Sequence, residues 1–279
     1  MGTTEALVEA ALTQADVPGA LALSAKVGWN QTAHDWRLFI AHGRTIGLFD
    51  QEAGLIATAA ALPYDNGFGY ISMVIVDPEW RRRGLARRLM GECIATLRGM
   101  GRAALLDATP AGALVYRGLG FVELATMERW EGEGGGAAQI GSAAERLMPD
   151  DLDKIVEADA LAFGSQRHFL LEDFLARPGT TAWTHDGGYL VMRQGHRAAQ
   201  IGPLVASSTD AARPLLATAL AHARGRVFLD LFTSWPKLAA LLEASGFMRQ
   251  RPYMRMALDR ATLPGDLRRL AIAAGPEFG

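Results

Sequence analysis

The sequence predicts a mixed α/β chain built as two copies of one fold, and three observations carry that reading. Strand-like and helix-like apolar patterns alternate along the first half. A glycine-rich stretch then interrupts the chain. Beyond it, short patterns of the first half recur in the same order.

The elements of the first half follow in sequence. Residues 4–28 place Leu7, Val8, Ala11 and Leu12, then Leu21, Leu23 and Val27, at helical spacing, with Pro18 opening or interrupting a helix. Leu38 to Ala41, Thr45 to Asp50 and Gly54 to Leu62 read as strands. Gly69 to Val76, rich in β-branched and aromatic residues, reads as a further strand, which Asp77-Pro78 ends. A helix from about Gly84 to Met100 sets Leu85, Leu89, Cys93 and Leu97, with Met90 and Ile94, four residues apart. Ala103 to Ala108 is a short apolar run, read as a buried strand. Residues 111–117 form another helix, ended by Gly118 and Gly120, and Phe121 to Trp130 reads as a closing strand.

Glu131 to Ser142 holds Gly132, Gly134, Gly135, Gly136 and Gly141, the composition of a flexible linker. The expected division is therefore a first domain over 1–130, a linker over 131–142 and a second domain over 143–279. Leu119-Gly120-Phe121 and Ser245-Gly246-Phe247 each follow a helical segment and precede a strand. Those strands carry Met127 and Arg129 in one copy and Tyr253 and Arg255 in the other, all at an offset of 126 residues. Leu105-Leu106-Asp107 is echoed by Phe228-Leu229-Asp230 at an offset of 123.

Bulk properties exclude several classes. The 279 residues are 49% hydrophobic and 21% charged, an ordinary globular balance with enough chain for two cores. A formal net charge of -2 gives no global field to recruit nucleic acid or an anionic membrane. The single cysteine, Cys93, excludes an intramolecular disulfide, sits on the apolar side of its helix and points to a cytoplasmic setting. Residues 1–20 carry acids and no basic stretch ahead of the apolar run, unlike a secretory signal, and no apolar run reaches membrane-span length. No His/Cys cluster has metal-ligand spacing, so no metal is expected, and no Ser or Cys nucleophile motif is present.

The segment Val74-Ile75-Val76-Asp77-Pro78-Glu79-Trp80-Arg81-Arg82-Arg83-Gly84-Leu85-Ala86 carries the chemistry. A strand ends, a basic turn follows and a helix begins. Backbone N–H groups at a helix start are unpaired and carry partial positive charge, which suits phosphate. Small residues at Gly84 and Ala86 let a pyrophosphate approach the backbone, and arginines add charge-assisted bonds. A solvated basic helix start competes, although cations there oppose the dipole. A nucleic-acid patch also competes, since Arg87 and Arg88 extend the cluster, but it lacks aromatic interleaving.

Arg81-x-x-Gly84-x-Ala86 after an apolar strand resembles the acetyl-CoA loop of the GNAT superfamily. Ala113-Leu114-Val115-Tyr116-Arg117-Gly118-Leu119-Gly120-Phe121 resembles the same family's helix-to-strand segment. The resemblance implies two mixed, mostly antiparallel sheets flanked by helices, with the fourth and fifth strands of a copy splayed apart. It also implies N-acetyltransfer from acetyl-CoA to a small-molecule amine by direct attack in a ternary complex. By that resemblance Met73, Val74 and Val76 contact pantetheine through the backbone, and a backbone N–H there polarises the thioester carbonyl. Arg81, Arg82, Arg83, Gly84, Leu85, Ala86 and Arg87 hold the pyrophosphate, and Thr109 joins the cofactor contacts. Tyr116 stands at the family's general-acid position; its phenol, with an ordinary pKa of about 10, keeps its proton at neutral pH. A packed helix residue is the alternative for Tyr116.

Other roles stay open at this level. His34, Asp35, Glu79 or a water chain are candidates for the base. Trp29, Asn30 and Asp35, in the segment ending at Trp36, either shape the acceptor site or pack under a loop. Aminoglycoside, polyamine, amino acid and protein N-terminus all fit as acceptor, and no oligomeric state is implied. The second half has Gly202 to Ala212 where the phosphate loop recurs, with no arginine–glycine turn and with Asp210 repelling phosphate. Leu242 stands where Tyr116 recurs. That half reads as a degenerate copy, and Arg167, His168, Asp173, Trp183 and Tyr189 are its candidates for facing an acceptor pocket. The rival to an enzyme is an acyl-CoA-binding regulatory module without turnover.

Overall fold

The computed structural model of the chain describes residues 7–135 and 144–279. They divide into two compact units, one taking in the chain up to Pro63 with Gly67–Ala104, the other Tyr64–Asn66 with Leu105–Gly279. In the first, β1 (Val8–Ala11) is followed by α1 (Val17–Lys26), α2 (Ala33–His42), β2 (Arg44–Asp50), β3 (Gly54–Tyr64), β4 (Phe68–Val76) and α3 (Leu85–Gly99). Its strands lie in the order β1-β2-β3-β4, with β1–β2 and β2–β3 antiparallel.

Helix α3 forms where the four-residue spacing predicts it, and Leu85, Leu89, Met90, Cys93, Ile94 and Leu97 are its buried face. Burial pushes the Cys93 thiol up to about 12, with Glu92 and Glu9 adding to the effect, so the group is an inert core residue.

Two expectations are corrected. Leu7 to Leu12 is not helical: Val8–Ala11 is strand, with Ala10 opposite Gly47 and Ala11 opposite Ile46. Cross-strand pairing overrides the helical spacing, and Thr13 starts a new turn by capping with Asp16. Leu38 to Ala41 is not a strand but part of α2. A four-residue apolar run has no period of its own. The reciprocal cap, with the Thr32 amide donating to Asp35 Oδ2 at 2.7 Å, fixes the helix start instead.

The second unit contains β5 (Ala103–Ala108) from Leu105 on, then α4 (Pro110–Arg117), β6 (Val122–Glu133), β7 (Glu145–Leu147), α5 (Val156–Phe163), α6 (His168–Ala176) and β8 (Thr181–His185). It continues with β9 (Gly188–Arg193), β10 (Ala199–Val205), α7 (Thr209–His222), β11 (Arg226–Phe232), α8 (Pro236–Ala244), β12 (Met248–Leu258) and β13 (Leu270–Ile272). The strands run β5-β12-β6-β11-β13-β10-β9-β8-β7. Most neighbours are antiparallel, while β10 and β11 are parallel through Ala199–Val227 to Ile201–Leu229. The succession β5-α4-β6 of the first repeat returns as β11-α8-β12, and the closing strands are exchanged. β12 lies between β5 and β6, and β6 lies between β12 and β11.

The linker expectation fails where it can be followed. Glu131 to Glu133 are the last residues of β6, and residues 136–142 lie outside the described residues. The glycines here serve close approach: a Cβ on Gly132 would sit 2.5 Å from Phe247, and one on Gly134 would sit 2.5 Å from Ala223. Gly134 and Gly135 also donate backbone bonds to Gly225 and Leu220. Among the described residues no helix is long and apolar enough to cross a membrane, and no group of three His, Cys, Asp or Glu side chains is placed to hold a metal.

Candidate functional site

Asp77 shapes the turn between β4 and α3. Its Oδ1 accepts from the Glu79 amide at 3.1 Å and its Oδ2 from Lys26 Nζ at 2.7 Å. Burial opposes ionisation of Asp77, but the Lys26 bond, the Glu79 amide and the Arg81 charge outweigh it and hold the carboxyl below its usual range. The Arg83 guanidinium lies over the Trp80 ring, 4.5 Å from its centroid. The chain then reverses through two left-handed residues, Arg82 at φ 62° and Gly84 at φ 78°.

Gly84 is the N-cap of α3, and no side chain caps the helix. The first helical bond closes from the Arg88 amide to the Gly84 carbonyl at 3.1 Å. The amides of Leu85, Ala86 and Arg87 therefore have no partner within the helix. A Cβ built on Gly84 would meet nothing within 4 Å, so the side-chain position of Gly84 is open. Arg81, Arg82, Arg83 and Arg87 are exposed around it, and Arg82 and Arg87 have no ion pair among the described residues. Arg88, by contrast, is bound to Glu9 at 2.8 Å. Unpaired amides, a positive helix end and unneutralised guanidiniums form an anion cradle that suits a pyrophosphate.

The strand leading to this turn is kinked. Met73 has φ 54°, a left-handed conformation that costs a non-glycine residue about 1–3 kcal/mol. The wholly buried Thr58 donates through Oγ1 to the Met73 carbonyl at 2.8 Å. Val74 and Val76 are half-buried while Met73 and Ile75 are buried. The residues Met73, Val74 and Val76 thus surround a built distortion of the backbone that the sequence pattern did not signal.

In the second unit, Thr109 begins α4 by accepting from the Gly112 amide through Oγ1 at 3.3 Å, with Pro110 in the first turn. Tyr116 stands about two turns further on, half-buried, its ring centroid 6.0 Å from that of Phe121. Its hydroxyl has no hydrogen bond among the described residues. Burial raises its pKa above the ordinary phenol value, so it is a protonated donor with an open hydroxyl.

The expected acceptor segment has a different role in part. Asp35 Oδ2 accepts from both the amide and the hydroxyl of Thr32, at 2.7 and 2.9 Å, so this carboxylate is committed to the α2 cap. Trp36 is wholly buried and joins α2 to α1 by donating from Nε1 to Ser24 Oγ at 2.9 Å. Trp29 and Asn30 are half-buried, and the Trp29 amide closes the end of α1 on the Ser24 carbonyl at 3.0 Å. His34 is exposed in the first turn of α2.

The second copy lacks the cradle and fills the corresponding gap. Ser208 caps α7 by accepting from the Ala211 amide at 3.2 Å, so its own side chain takes the place of an anion. Beyond their parallel stretch β10 and β11 part, and β13 enters between them. Ile272 pairs with both Leu204 and Leu231, and Leu270 pairs with Val205. The Ala273 amide donates to the Asp230 carbonyl at 3.0 Å, and a Cβ on Gly202 would lie 2.1 Å from the Ala273 carbonyl oxygen. Sequence reasoning missed this strand, because three apolar residues carry no period.

Of the candidate pocket residues of this half, Arg167, Trp183 and Tyr189 are buried framework, while His168 is exposed. Arg167 is wholly buried and binds both oxygens of Asp159 at 2.8 Å, and the Tyr189 hydroxyl donates to the same carboxylate. Asp173 accepts from Arg177, and Trp183 is buried with its ring against His222. His168 opens α6. Leu242, at the position echoing Tyr116, is fully buried.

Comparison with known proteins agrees with this architecture. Residues 6–121 match the acetyltransferase (GNAT) family, and residues 155–270 match an acetyltransferase (GNAT) domain. The uncharacterised N-acetyltransferase YitH of Bacillus subtilis is 26% identical over 244 residues, covering 85% of this chain and 86% of that protein. A putative acetyltransferase from Pyrococcus horikoshii shares the fold with a TM-score of 0.85 at 17% identity, covering 100% of this chain and 98% of its own. A tandem GNAT protein from the clavulanic acid biosynthesis pathway superposes with a TM-score of 0.64 at 15% identity, covering 91% and 98% of the two chains. With two GNAT domains in one polypeptide, the chain belongs to the GNAT acetyltransferase superfamily.

Proposed function

We propose that this acetyltransferase uses acetyl-CoA as donor and the primary amine of a small molecule as acceptor, without a metal, in the cytoplasm. The observation that carries the reading is the contrast between two helix starts. α3 begins at Gly84 with no side-chain cap, with open space at the Gly84 side-chain position and beside exposed arginines, whereas α7 begins capped by Ser208. Arg81, Arg82, Arg83 and Arg87, with the amides of Leu85 and Ala86, hold the pyrophosphate. Met73, Val74 and Val76 bind pantetheine through their backbone groups, and Thr109 is a further cofactor-binding residue. Trp29 and Asn30 line the acceptor side.

The amine nitrogen attacks the thioester carbonyl directly in a ternary complex. The N–C bond forms, the C–S bond breaks, and Tyr116 gives its proton to the departing thiolate. The ammonium proton leaves to a base. The second copy binds no acetyl-CoA, since Ser208 occupies its helix start and β13 its strand gap, and one acetyl-CoA binds per chain. Incubating the full chain with acetyl-CoA and a panel of amines, and reading release of the CoA thiol, tests the reading. Amine-dependent release is expected. Binding of acetyl-CoA without release for any amine identifies an acyl-CoA-responsive module instead.

A further inference from the structure

We infer that Thr58 is a positioning residue that aims the Val74 N–H at the thioester carbonyl. The inference rests on the proposed acetyl-CoA reading, in which a backbone N–H of this strand polarises the thioester, and goes beyond it by naming the side chain that orients the donor. The geometry begins with Met73. Its φ of 54° turns the following peptide unit out of a regular strand path. That unit contains the Met73 carbonyl and the Val74 amide, and a trans peptide is planar, with its C=O and N–H pointing in opposite directions. Fixing the carbonyl therefore fixes the amide.

Thr58 does the fixing. It is on β3, it is wholly buried, and its hydroxyl donates to the Met73 carbonyl at 2.8 Å. With the carbonyl held toward Thr58, the Val74 N–H points away from it, beside a residue that is half-buried where its neighbours Met73 and Ile75 are buried. A donor held in this way before the substrate arrives needs no reorganisation when negative charge develops on the thioester oxygen. Thr58 acts only through the peptide unit and touches no substrate.

The test reads the carbonyl itself and needs no known acceptor. Acetyl-CoA labelled with carbon-13 at the thioester carbonyl is bound to the full chain, and its isotope-edited infrared band is compared with that of the free thioester. For the unaltered chain the band moves to lower frequency. Thr58→Val keeps the shape of the side chain but not the hydroxyl, so acetyl-CoA affinity by calorimetry stays within about threefold, or about 0.7 kcal/mol, while the band returns toward the free position. Thr58→Ser restores the donor and the shift. If Thr58→Val does not fold, as judged by circular dichroism, Thr58→Ala carries the same expectation. A band equally shifted in Thr58→Val, or unshifted in the bound unaltered chain, overturns this inference while leaving the acetyl-CoA reading in place. No binding by the unaltered chain overturns both.

Discussion

Arg255 grips Asp107 with two arms, Nε to Oδ1 at 2.9 Å and Nη2 to Oδ2 at 2.8 Å, across 148 residues of sequence. Arg129 grips Asp230 in the same way, at 2.9 and 2.8 Å. Asp107 and Arg129 belong to one repeat, Asp230 and Arg255 to the other. Each aspartate is thus bound by the arginine of the opposite copy, because β6 and β12 have changed places. The Asp107 and Asp230 side chains are fully buried, and the two arginines nearly so.

Removing one partner of such a pair leaves an uncompensated buried charge. Arg129→Met or Arg255→Met should each destabilise the chain by about 3–5 kcal/mol. Urea unfolding monitored by circular dichroism reads the change. Replacing both members, as in Arg129→Met with Asp230→Leu, should recover most of the loss, since the pair itself contributes little beyond its own desolvation. A single variant as stable as the unaltered chain contradicts the importance of the exchanged pairs.

Gly84→Glu should weaken acetyl-CoA binding by at least about a hundredfold, equivalent to about 2.8 kcal/mol. The variant puts a negative charge over unpaired amides and a side chain on a residue at φ 78°. Calorimetry on a variant whose circular dichroism matches the unaltered chain measures it. Unchanged affinity would remove the anion cradle from the account.

Tyr116→Phe should keep acetyl-CoA affinity and lower turnover by about 10²–10⁴-fold, the span of a general acid. The pH dependence has a definite sign. Burial raises the phenol above its ordinary value of about 10, and the group works protonated. Its contribution is therefore full at neutral pH and is lost only as pH rises beyond that value. A pH–rate profile for an identified amine checks this, and an alkaline fall well below pH 10 would assign the proton to another group.

Much of this was legible in the sequence, for physical reasons. Helix α3 is long and strongly periodic, so its buried face was readable in advance. The turn at Gly84 was readable as the place where a helix starts after a basic segment, but its left-handed backbone at φ 78° was not. The recurrence of Asp107 in Asp230 and of Arg129 in Arg255 was visible, but not that the pairs cross, since strand exchange leaves no local pattern. β1 and α2 were misread because pairing with β2 and the Thr32–Asp35 cap decide them, not apolar spacing. Gly132 and Gly134 looked like linker residues, yet they let Phe247 and Ala223 approach. The Met73 kink and the three-residue β13 depend on tertiary contacts alone.

Titration of the full chain with acetyl-CoA tests the central claim most directly. α3 offers free amides and unneutralised arginines, while the second copy offers a helix capped by Ser208 and a strand gap closed by β13. Each charge-assisted bond missing from the second copy is worth about 1.5–3 kcal/mol, enough to take a micromolar site out of range. The account predicts one acetyl-CoA bound per chain. Two per chain, or none, would contradict it.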